Sequence, residues 1–162
     1  MAQLGPPNYS AAMRGGWRGM LCVWVAVGPV AMGCASESDT DQVRDTVVAT
    51  AKAIADGDEE KACSYLAGPA QQELIVKAAP LGLRTCVDIV RTISVVLGPE
   101  EQDILSDARV GQVELRGDRA EVPDSAVRSS EGKVIQEVLP YENPAPIVLR
   151  KIDGTWLIVS LG

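Results

Sequence analysis

The stretch RKIDGTWLIV, Arg150–Val159, places two runs of alternating side chains on either side of Asp153-Gly154. Thr155–Leu161 sets Trp156, Ile158 and Ser160 on one face and Leu157, Val159 and Leu161 on the other, so both faces are apolar over most of its length. A strand of that kind is expected to be central and covered on both sides. Its partner, Ile147–Ile152, opposes Ile147, Leu149 and Lys151 to Val148, Arg150 and Ile152, the pattern of a neighbour nearer the edge. Asp and Gly tolerate the positive backbone angles of a two-residue hairpin turn, so Asp153-Gly154 is expected to be one. Trp156 is then expected to pack against the layer that covers the sheet.

Upstream, extended runs fall at Val110–Leu115, Ala120–Val127 and Lys133–Leu139, with Arg116-Gly117-Asp118-Arg119 as a further tight turn. Before them the period is helical. From Asp41 the apolar residues Val43, Val47, Val48, Ala51, Ile54 and Ala55 share one face, with Thr40 or Asp39 as N-cap, until Gly57. Asp58 can cap a second helix, Glu59–Ala67, broken by Gly68-Pro69, and a third spans Gln71–Ala79. Thr85 can cap a fourth, Cys86–Leu97, whose inward face holds Cys86, Ile89, Val90, Ile93 and Leu97, while Pro99–Ser106 suits a last turn or two. Helices followed by a strand meander predict an α+β fold, with N-terminal helices packed on a curved antiparallel sheet.

The first 33 residues differ in kind. Arg14 and Arg18 precede the apolar run Met20–Gly33, and at 14 residues that run is shorter than the roughly 20 a spanning helix needs. It has the organisation of an export signal. Cys34, directly after Gly33, resembles the lipobox cysteine of bacterial lipoproteins, whose thiol receives diacylglycerol and whose freed amine is then acylated. Residues 1–33 are therefore expected to be a signal, with Met13 as an alternative start. Residues 34–40 are expected to be a tether and residues 41–162 the domain, held at the cell membrane on its extracytoplasmic side. An ordinary secretory signal with a chance cysteine, or an uncleaved anchor, is the competing reading.

Cys22 leaves with the signal and Cys34 carries lipid, so Cys63 and Cys86 remain. In an oxidising compartment they are expected to form a disulfide linking the second helix to the fourth. No spacing of Cys with His suggests metal chemistry, and the chain contains no His at all, which removes the usual imidazole base. Neither a cofactor nor a metal is expected. Residues 34–162 carry 13 basic and 22 acidic side chains, net −9, a balance that repels nucleic acid and anionic headgroups.

The phrases RKIDGTWLIV, ADGD at Ala55–Asp58 and GDRAEV at Gly117–Val122, in this order of elements, resemble the NTF2-like (cystatin-like cone) lipoproteins of bacterial envelopes. The resemblance covers about residues 40–162. It implies a cone with a pocket between sheet and helices, and a cysteine pair in the helical part matching Cys63 and Cys86. That family hosts enzymes and binding modules alike, so the resemblance leaves activity open.

No set of residues forms a recognisable catalytic constellation. Arg116-Gly117-Asp118 reads as a hairpin tip rather than an adhesion motif. Asp56, Asp58, Glu59 and Glu60 lack the alternating oxygen ligands of a calcium loop and suit a helix start. Asp88 could act as a general base in a cone pocket, but Arg91 and Thr92 on the same side favour solvent. Tyr65 and Tyr141 could offer hydroxyls and Trp156 could line a pocket, although packing is the commoner fate of each. The expectation is a non-enzymatic domain binding a small apolar ligand or an envelope protein; the alternative is a hydrolase or isomerase using Asp and Tyr. Replacing Cys34 by Ala should release the protein from membranes or leave an uncleaved precursor. Unchanged detergent partitioning and unchanged mass of that variant would refute the anchor.

Overall fold

The first helix, α1 (Glu37–Ala55), carries the stripe on which the other elements assemble. The fold comes from a computed structural model that describes residues 37–135 and 145–162. Cys34, the expected signal at residues 1–33 and Tyr141 lie outside the described residues. Val43, Val47 and Ala51 are buried along α1, but Val48 and Ala55 are half-exposed, and Thr46, Thr50 and Ala53 take inward places instead. The helix starts four residues before the expected Asp41, so Glu37–Thr40, expected in the tether, belong to it.

Four short helices follow among the described residues. α2 (Glu59–Ser64) is capped by Asp58, whose Oδ1 accepts from Lys61 N at 3.2 Å. It ends three residues before the expected Ala67, because Leu66 turns away to pair with the sheet. The Gln71 amide satisfies the carbonyls this releases, donating to Cys63 O at 3.0 Å and Leu66 O at 2.9 Å. α3 (Gly68–Ala78) begins on Gly68-Pro69, the pair expected to break a helix. Proline suits a first helical turn, where its missing N–H has no partner to lose. α4 (Cys86–Val96) has Thr85 as N-cap, and a reciprocal bond from Thr85 Oγ1 to Asp88 Oδ2 at 2.6 Å completes the cap. α5 (Pro99–Ser106) lies against α1.

The Cys63–Cys86 disulfide joins α2 to α4 as expected, with Cα atoms 6.1 Å apart. An ion pair from Arg91 to Glu59 at 3.0 Å runs beside it. A crosslink closing a loop of this length contributes about 3 kcal/mol, chiefly by restricting the unfolded chain.

The described strands form two antiparallel sheets. β2 (Glu114–Arg116), β3 (Arg119–Val122), β5 (Ile147–Ile152) and β6 (Thr155–Ser160) lie in the order β2-β3-β5-β6, while β1 (Ala108–Val110) pairs with β4 (Val127–Ser129). The expected strand Val110–Leu115 is thus split between the two. Gly111 leaves the ladder, its N–H bonding Ala126 O at 2.9 Å and its carbonyl taking the Arg44 guanidinium at 3.2 Å. Ala120–Val127 is also split, at Pro123, which has no N–H for a ladder and leads into the 3-10 turn Asp124–Ala126. Of Lys133–Leu139, only an isolated bridge at Val134 is described.

The hairpin between β5 and β6 is the two-residue turn expected: Ile152 pairs with Thr155, and Asp153 and Gly154 have φ of 50° and 83°. Gly117-Asp118 closes β2 on β3 in the same way, with Gly117 at φ 63°. The order of strands reverses one expectation, because β5 is interior and β6 lies at the edge of the ladder. That edge is closed by backbone rather than by another strand: Ala67 N–H donates to Ile158 O at 2.8 Å, and Ile158 N–H donates to Tyr65 O at 2.9 Å. The inner face of β6 is fully covered, with Trp156 and Ile158 each 1% exposed, whereas Leu157 and Val159 are half-buried. A bulge lets Val148 pair with Ser160 and Leu149 with Ile158, leaving Val159 as the extra residue.

Trp156 packs against the helical layer as expected, its carbonyl accepting from Thr46 Oγ1 at 3.3 Å. Emptying a buried aromatic site costs about 3–5 kcal/mol, a large part of the stability of a domain this size. Trp156→Ala should therefore lower the urea midpoint severely or prevent folding. A variant that melts within a degree or two of the parent would contradict the burial described.

Candidate functional site

The inner face of the sheet does not fill the space beneath the second half of α1. Val47, Thr50, Ala51 and Ile54 recur at helical spacing along that half, facing Ile147 on β5 and Ile158 on β6. Leu105 of α5, Val127 of β4, Ile135 and Leu161 complete the wall of a cavity of about 80 Å³. Its floor is buried, with Leu105 wholly inaccessible, while the half-exposed Ile54, Asp124, Ile147 and Leu161 form its rim.

Two hydroxyls on this stretch of helix are neutralised locally. Thr50 Oγ1 donates to Thr46 O at 2.8 Å, and Thr46 Oγ1 donates to Gln42 O at 2.9 Å, so each threonine offers mainly a methyl to its surroundings. The wall is therefore aliphatic apart from Asp124 at the rim. Polarity of residue type hides such positions from a reading of apolar periodicity, and that is why the sequence pattern omitted them. The helix-backed threonine, four residues after an available carbonyl, is the signal that could have found them.

The expected polar candidates lie elsewhere. Asp88 belongs to the α4 cap and stands 3.6 Å from Arg91 Nη1, with its side chain 46% exposed. Tyr65 is half-buried at the join between α2 and β6, and Trp156 lies under the first half of α1; neither is among the described residues lining the cavity. Asp58 and Glu59 are engaged in the cap and the Arg91 pair, while Asp56 and Glu60 are exposed. The Glu59 carboxyl is held below its usual range by a backbone N–H at the helix start and by Arg91. Among the described residues no group of three His, Cys, Asp or Glu is placed to hold a metal, and no helix is long and apolar enough to cross a membrane.

A second polar constellation fixes the start of α1. Lys151 Nζ donates to Asp39 Oδ1 at 2.6 Å, Trp156 Nε1 donates to the same oxygen at 3.2 Å, and the ammonium sits 6.0 Å from the indole centroid. Asp39, expected only as an alternative N-cap, is thus a clamp between α1 and the last hairpin. The bond from Lys151 and then that from Trp156 hold its carboxyl below the ordinary aspartate range. Near the other end of the sheet Glu73 accepts from Lys77 at 2.8 Å and from Ser160 at 3.0 Å, and these bonds outweigh the effect of partial burial.

Comparison with protein families, with curated proteins and with solved structures returns no match to the chain. The site is read from its own geometry.

A carboxyl whose folded-state pKa is lowered contributes stability above its unfolded value, and that contribution is lost as pH falls through the folded one. The stability difference between the parent and Asp39→Asn should therefore be level from pH 5 to 7 and shrink below about pH 4. Urea titrations at a series of pH values measure it. A difference independent of pH would show that the charge on Asp39 is not what holds Lys151 and Trp156.

Proposed function

We propose that this chain is an exported bacterial lipoprotein, anchored through acyl groups on Cys34, whose body is a non-enzymatic NTF2-like cone that binds a small apolar ligand. The observation that carries the binding part is the aliphatic cavity of about 80 Å³ beneath α1. Packed interiors leave few voids larger than a water molecule, and a dry void gives up dispersion contacts along its lining. A void with an accessible rim is one that an aliphatic group can enter.

Size limits the occupant. A dry cavity of about 150 Å³ takes benzene, so this smaller one takes a branched aliphatic group or the end of an alkyl chain. Burying about three methylenes there is worth about 2–3 kcal/mol, less than the roughly 4 kcal/mol of even millimolar binding. The cavity is thus a subsite for one end of the ligand. The remaining affinity comes from the rim, where Ile54, Ile147 and Leu161 extend the apolar surface and Asp124 adds a carboxylate. Export and anchoring rest on the Arg14–Cys34 pattern and fit the disulfide, since a crosslinked domain belongs in an oxidising compartment.

Ala51→Leu fills the void from the helix side with about three carbon atoms. It should raise stability by about 0.5–2 kcal/mol, as cavity-filling changes do, and should empty the site. Mass spectrometry of organic extracts checks this: a compound that co-purifies with the parent should be missing from the variant. Identical extracts from the two proteins would overturn the binding reading.

A further inference from the structure

We infer that the hairpin end of the body docks on the headgroup region of the bilayer, which leaves the cavity facing the aqueous side. The inference rests on the lipoprotein reading of Cys34 and adds to it an orientation and a surface. Only Ala35 and Ser36 separate Cys34 from Glu37, the first residue of α1. Three peptide steps span at most about 11 Å even when fully extended, so the helix start cannot leave the membrane surface.

The helix start is also fixed to the body. Asp39 is bonded to Lys151 and Trp156, and Lys151 N–H donates to Asp118 O at 2.8 Å. The first turn of α1 and the two hairpin turns, Gly117-Asp118 and Asp153-Gly154, therefore lie at one end. A short tether brings that end down as a unit.

The hairpin end also carries a row of cations. Arg116 pairs across the strands with Arg119, and Arg119 with Arg150, so three arginines form one row over β2, β3 and β5. Like charges directly opposite weaken a sheet, so the row has no explanation in strand pairing. Glu114 and Glu121 lie beside the first two, at 3.5 and 2.9 Å, while Arg150 is exposed and makes no ion pair among the described residues. An anionic headgroup would compensate Arg150, the member of the row without such a partner among the described residues. At the opposite end, α1 runs into the acidic Asp56, Asp58, Glu59 and Glu60. Acidic residues lie at both ends, since Glu37, Asp39, Asp118 and Asp153 stand among the cations of the hairpin end, so the short tether and not the net charge holds that end at the headgroups. Val47 and Ile54 stand ten and seventeen residues beyond Glu37, about 15 and 25 Å along the helix, so a ligand reaches the cavity from the aqueous phase.

The test uses the lipidated full chain in vesicles of phosphatidylethanolamine and phosphatidylglycerol. A photoreactive benzoylphenylalanine replaces the exposed Asp118 in one variant and the exposed Asp56 in another. The intact mass is taken first, to establish acylation at Cys34. Crosslinking to lipid should be about tenfold higher from position 118, since some 25 Å of helix separates position 56 from the surface. Equal yields from an acylated protein, or an excess from position 56, would overturn the docking and leave the anchor standing. A mass without acyl groups would overturn the anchor and the docking together.

Discussion

The seating of α1 on the last strand is the contact on which the described fold depends. α1 is the one helix that packs against α2, α4, α5, β1 and β6 alike, and it meets β6 through Trp156 at one end and Ile158 farther along. A chain with no Phe has few large side chains to spend. Trp156 fills the space under the first half of α1. Under the second half the helix presents Thr50 and Ala51, with little volume, and the strands opposite present Ile147 and Ile158. Uneven filling along one helix leaves the cavity where it is.

That seating requires β6 to stay in place, although it is the last strand of its ladder. An open edge exposes a row of unpaired N–H and C=O groups and invites pairing with another chain. Here the Tyr65–Ala67 backbone closes it around Ile158, and the segment is held from behind by the Gln71 amide and by the attachment of α2 to α4. The disulfide and the Glu59–Arg91 pair therefore act on the sheet as well as on the helices. They restrain the element that covers its edge.

Features encoded locally were legible in the sequence. Asp153-Gly154 demands positive φ and forms the turn; Thr85 and Asp88 cap α4 within one residue of its expected range; Cys63 and Cys86 form the expected pair. Features decided by distant partners were not. Alternation on β6 shows that both faces are apolar, but not that an interhelical segment will take the place of a neighbouring strand. Gly111 leaves its strand because Arg44, 67 residues away, takes its carbonyl. Pro123 is the exception, a local signal overridden by the apolar run around it. The arginine row shows the same limit, since it arises only when β2, β3 and β5 come into register. The cavity wall was half legible, since the stripe on α1 gave Val47, Ala51 and Ile54 but not Thr50.

The two halves of α1 carry separate duties. Asp39 and Ala51 are twelve residues apart, about 18 Å along the helix, and share no described partner. At such separations energetic effects are nearly additive, so the clamp at the start of the helix and the void farther along can be altered independently. A flexible tether of the length first expected would have left the rim to sample every direction. If Cys34 carries the proposed anchor, a helix that begins three residues after it instead passes the constraint into the body. Packing against five elements holds α1 in one place in the body, so a constraint on Glu37 is passed to the whole domain.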